Sequence, residues 1–267
     1  MGRGRAGLAA GLVALAFATP AAAKVTGVPW AQAVITLDPD GVLAVLEHVN
    51  VRADGPTAAA WQITMQRGEL FAQPSLVVDE GRYRPGDGKQ PGTFHISRAI
   101  TGIRFDWLQP GGAHSVRIAY RLALVGTAYT DVVDLRVPVW ERDWPVPVSN
   151  LTAALKLPRP PHGRVILWIE PQSLQATIAR SPDQIRMRVH DVRARSPVTL
   201  HTVLPRNVLT SFDGVNVDTK PGLAAILAAR RNDGRDRWPW VFAAGGVLAL
   251  SAVVLFRTAR SRRPRRR

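Results

Sequence analysis

A run of nineteen residues without a charge, WPWVFAAGGVLALSAVVLF at 238–256, divides this chain into two unequal parts. As a helix rising ~1.5 Å per residue it is about 28 Å long, close to the ~30 Å hydrocarbon thickness of a bilayer. Arg237, Trp238 and Trp240 stand at its first end, where indole rings favour the headgroup layer. Beyond it, the tail 257–267 carries seven arginines and no acid. Dense arginine beside a span stays in the cytoplasm, so the sequence predicts a single-pass protein of the plasma (inner) membrane. Its N-terminus and everything else before Arg237 then lie on the extracytoplasmic side.

Residues 1–23 agree with that topology. Arg3 and Arg5 precede an apolar stretch at 6–18, Pro20 breaks it, and three alanines follow. This is the pattern of a secretory signal, with cleavage expected after Ala23. The formal net charge of +15 has to be divided the same way. Two of the 35 basic residues fall before residue 24 and seven after Phe256, which leaves 26 against all 20 acids, a net of +6. The charge therefore gives no case for nucleic acid as a partner. The arginine tail suits anionic lipid, at roughly 1 kcal/mol per cation near the surface. With no cysteine, disulfides, thiolate metal sites and a cysteine nucleophile are all excluded.

Between the leader and the span the chain reads as all-β. AVITL (33–37) and VLAVLEHVNV (42–51) flank the turn DPDG, a hairpin signal. In the second strand Leu43, Val45, Val49 and Val51 share a face with Glu47, because side chains alternate with period two. A buried carboxylate must be paired or neutral, and an ion pair with an inward arginine of a neighbouring strand is the expected arrangement. The segment 79–92 is too rich in Gly, Pro and charge to be anything but an exposed loop. Alternation then recurs at 103–107, 116–124, 133–139, 151–157 and 185–189, and VTLHTV closes the run at 198–203. VILWI (165–169) is apolar on both faces and reads as a central strand. Many short strands at this spacing predict an antiparallel β-sandwich over 24–210, as one large lobe or two packed lobes. Residues 211–237 read as a juxtamembrane stalk, with a possible short helix from Pro221 to Arg231.

No compact catalytic or metal motif appears. The six histidines never fall at i, i+2 or i, i+4, and the Asp38–Asp40 turn lacks the later ligands of a calcium loop. No nucleophile elbow, zinc-protease or phosphate-loop pattern occurs. The expectation is a non-enzyme without cofactor; a site dispersed over distant residues, with Glu47 or Asp143 first to test, is the less favoured alternative. Aromatic residues stand out instead. Trp140 and Trp144 bracket Glu141, Arg142 and Asp143, and Pro145 and Pro147 follow. The plain reading is that the two rings plug one end of the sandwich. The sharper one is an exposed edge where Trp140, Arg142 and Trp144 bind a peptide or glycan.

One set of pieces also resembles a known family. The run Asp40, Gly41, Val42, Leu43, Ala44, Val45, Leu46, Glu47 comes first, with Phe94, His95 and Ile96 after it. Ile118, Ala119, Tyr120, Arg121 and Leu122 follow, then the tryptophan segment, then Leu155, Lys156, Leu157 and Pro158. In this order they resemble the outer domain of a bacterial predicted-membrane-protein family, domain of unknown function 2207, over about residues 30–205. The tryptophan segment lacks the Asn-Gly character of that family, and longer members continue with further spans. The resemblance implies an envelope β-domain on a membrane anchor and brings no catalytic residues with it. The resulting expectation is a protein-binding or scaffolding module facing another envelope protein, or a second copy of itself. A carbohydrate- or cell-wall-binding module is the alternative.

Overall fold

The computed structural model describes residues 23–141 and 144–235. The expected span and tail, residues 1–22 of the expected leader, and Arg142 and Asp143 lie outside the described residues. β1 (Val25–Leu37) and β2 (Leu43–Ala53) form the expected hairpin. Gly41 turns it with φ +93°, and a Cβ there would come within 2.7 Å of Val215 Cγ1. β3 (Thr57–Thr64) and β4 (Leu70–Val78) follow. Two short strands, β5 (Gly81–Arg82) and β6 (Arg84–Pro85), lie within the stretch expected to be loop, all four residues exposed.

The alternating segments come next: β7 (Thr93–Ala99), β8 (Gly102–Gln109), β9 (Gly112–Ala123), β10 (Gly126–Ala128) and β11 (Val132–Trp140). After them run β12 (Val148–Lys156), β13 (Ile166–Glu170), β14 (Ala176–Ser181), β15 (Gln184–Val192) and β16 (Val198–Pro205). A 3-10 turn at Arg206–Val208, β17 (Asn216–Val217) and the helix α1 (Leu223–Arg235) complete the described chain.

The strands form an eight-stranded sheet in the order β14-β15-β12-β1-β2-β9-β4-β5, a five-stranded one, β13-β16-β11-β10-β17, and a four-stranded one, β3-β8-β7-β6. One buried cluster spans all three, from Ile35 and Leu155 of the large sheet to Trp61 and Phe105 of the small one and Leu135 and Leu200 of the third. The inner faces of the three sheets thus contribute to one buried cluster.

Three expectations change. Pairing is not wholly antiparallel, since β1 runs parallel to β12 at the centre of the large sheet. Side-chain alternation is the same for both directions, so the local pattern carries no sign of it. β13 is an edge strand, not a central one. It is apolar on both faces because Ile169 joins the core while Ile166 and Trp168 pack outward against Ile226 and Leu223 of α1. The residues read as a stalk add a strand and a helix to the folded unit. Asp131 accepts the Gly222 and Leu223 N–H groups at 2.7 and 3.2 Å, which fixes the start of α1. At thirteen residues α1 is not a span, and no helix of the described residues is long and apolar enough to cross a membrane.

Candidate functional site

The two tryptophans singled out in the sequence are brought together, but inside the protein. Trp140 ends β11 at a register shift after Pro138, and the chain returns with Trp144. Their rings stack 5.2 Å apart at 17°, and Trp61 of β3 meets both edge-on at 6.0 and 4.9 Å. Only 1% of Trp140 and 6% of Trp144 is exposed. Trp140 and Trp144 therefore do not form an exposed aromatic edge; both rings belong to the core. Burial of large apolar rings outweighs what an exposed rim could offer them. Arg142, the third residue of that expectation, lies outside the described residues.

Glu47 points inward as the alternation requires, with 5% of it exposed. Its partner is not an arginine: the Tyr120 hydroxyl of β9 donates to Glu47 Oε1 at 2.5 Å. Burial raises the carboxyl from its ordinary 4.5 to about 8, the Tyr120 bond opposes that rise, and the nearby Glu141 adds to it. The upward shift favours the neutral carboxyl, and the hydrogen bond from Tyr120 stands where an ion pair was expected. Glu141 accepts the Thr64 N–H at 2.8 Å and the Thr64 hydroxyl at 2.7 Å, so it joins β11 to the end of β3. Among the described residues no three His, Asp or Glu side chains are arranged to hold a metal ion.

That contact defines an open edge. β3 is the first strand of its sheet and, among the described residues, pairs only with β8. Backbone groups of alternate residues point to opposite sides of a strand. Since Thr64 directs its N–H away from β8 toward Glu141, Ala58, Ala60 and Gln62 direct theirs the same way. These groups open into a groove of about 770 Å³ whose lining includes Trp107, Trp144, Val146, Lys24 and Arg104. Largely buried aromatic side chains thus sit beneath a strand edge that has no partner strand among the described residues, with cations among the walls. Nothing in the local alternation separates an edge strand from a central one, and sequence reasoning missed this place.

A second constellation also escaped it. His201, 1% exposed on β16, lies 2.6 Å from Asp134 of β11 and 3.6 Å from Glu170 of β13. Arg230 of α1 pairs with Glu170 at 2.7 Å and sits 5.5 Å from the Trp168 ring centre. The group is an anchor for the helix, built from residues far apart in the chain.

A family model described as the N-terminal domain of the predicted membrane protein DUF2207 matches residues 28–204. No curated protein matches the chain. Similar solved structures include a putative protease from Parabacteroides distasonis, 11% identical with a TM-score of 0.39 over 68% of this chain and 41% of the other. Yeast LTA4 hydrolase with bestatin is 10% identical, TM-score 0.40, over 66% of this chain and 28% of the other. An M1 zinc metallopeptidase from Deinococcus radiodurans is 10% identical, TM-score 0.36, over 66% and 42%. The chain thus spans less than half the length of each, and these likenesses are too distant to carry an argument about activity.

Proposed function

We propose that this chain, which belongs to the DUF2207 family of predicted membrane proteins, holds an extended segment of another envelope protein along β3. The β-domain would lie outside the membrane behind its leader, 238–256 would span it, and the arginine tail would stay inside with anionic lipid. In this role the domain is a docking module and catalyses no reaction. The observation that carries the reading is the row of Ala58, Ala60 and Gln62 backbone groups, which pair with no strand among the described residues and border a groove whose lining includes Trp107 and Trp144. Such an edge offers main-chain hydrogen bonds for affinity, and the pocket beside it offers side-chain selection. Small, exposed Ala58 and Ala60 leave the edge open to an incoming strand. The glycan alternative has lost its two candidate stacking rings to the core.

The test is Ala60→Pro in the full-length protein. Proline removes an outward N–H while sparing the ladder to β8. Affinity capture from solubilised membranes should yield one stoichiometric protein with the wild type and at least tenfold less with the variant. Equal recovery with both, at unchanged thermal stability, would count against β3 as the docking edge.

A further inference from the structure

The outer face of the eight-stranded sheet carries a second surface, which shares only β1 with the β3 groove and no lining residue. Its register places Thr177, Arg188, Thr152 and Gln32 in one row across β14, β15, β12 and β1. The next row is Ala179, Arg186, Ala154 and Val34. Small side chains in that second row lower the floor, and the result is a trough of about 750 Å³. Lys156, Arg186, Arg188 and His190 line it, and among the described residues no carboxylate does. Arg186 Nε donates to Gln184 Oε1 at 2.9 Å, which steadies the guanidinium along the strand. Among the described residues, neither Arg186, Arg188 nor Lys156 lies within ion-pair distance of an acid.

We propose that this trough binds a linear polyanion bearing phosphate groups. Arg186 and Arg188 are two apart on one face of β15, hence roughly 6.6 Å apart along the strand. Lys156 of the neighbouring β12 stands opposite Gln184, roughly 4.8 Å to the side and roughly 6.6 Å further along than Arg186. Cations repeated at these intervals match anions repeated along a chain better than a single ion. The guanidinium fork takes two oxygens of one phosphate, and an ammonium adds a point charge. Thr177 and Gln32 supply neutral hydrogen-bond donors within the same row. A concave site suits a chain better than a flat bilayer does. The helix leading toward 238–256 also packs on a different sheet, the five-stranded one.

The test uses the full-length protein in neutral-lipid nanodiscs, with linear inorganic polyphosphate as the probe. Three variants are compared with the wild type: Arg186→Ala with Arg188→Ala, Ala179→Glu, and replacement of the tail arginines by serine. The first should weaken binding at least tenfold and lower the salt slope by roughly one per lost cation. The second should weaken it by adding a carboxylate to the floor, with the far-ultraviolet spectrum unchanged. The tail variant and Ala60→Pro should leave the trough's share of binding intact, which separates this surface from the β3 edge. Absence of binding, or binding lost only with the tail, would overturn the proposal. So would preference of the same arginines for phosphatidylglycerol vesicles over polyphosphate.

Discussion

The outer faces of the two larger sheets received opposite treatment. On the five-stranded sheet, β13 and β16 are apolar or buried on both sides, and α1 lies over them. On the eight-stranded sheet, β12 and β15 alternate between core and solvent, and their outer residues form a bare basic trough. The contrast shows what two-sided hydrophobicity reports: a strand with cover on both faces, wherever it stands in the sheet order. It also sorts the polar residues. Under the helix, charges are paired and part of the packing, as with Glu170 and Arg230; on the bare face Arg186 and Arg188 pair with no acid among the described residues.

Substitutions sharpen that contrast, beginning in the core beneath both faces. Trp140→Ala removes a buried ring stacked on Trp144 and should cost about 3–5 kcal/mol, measured by denaturant unfolding. Glu47→Gln tests the neutral carboxyl. Between pH 4.5 and about 8 the unfolded chain has released this proton while the folded one retains it. Wild-type stability should therefore fall as pH rises through that window, with a slope approaching ~1.4 kcal/mol per pH unit, and level off above it. The variant should lose this slope while keeping an acceptor for the Tyr120 hydroxyl; identical pH profiles would mean Glu47 is ionised in the fold. On the covered face, Arg230→Ala should cost about 1.5–3 kcal/mol and speed hydrogen exchange in α1. On the bare face, Arg186→Ala should change stability by no more than about 0.5 kcal/mol. If the last two variants behaved alike, the contrast between the faces would fail.

Local pattern made part of this legible. The DPDG turn gave the first hairpin, and period two placed Glu47 inside. The partner of Glu47 lies 73 residues away on β9, a separation no window of sequence spans. Trp61, which closes the aromatic cluster, comes from β3, far earlier in the chain than Trp140 and Trp144. The same limit hid the parallel register of β1 on β12 and the open edge of β3, because both depend on which strands meet. Trp140 and Trp144 were visible as a pair, while their burial depended on the third ring.

The measurement that bears most directly on the docking function is photocrosslinking in cells from a reactive residue placed at Ala60. A matching probe at Ala179, on the bare face, serves as the comparison. One dominant envelope protein captured from Ala60 and absent from Ala179 is the predicted result. Capture of nothing from Ala60, or of the same mixture from both positions, would contradict it.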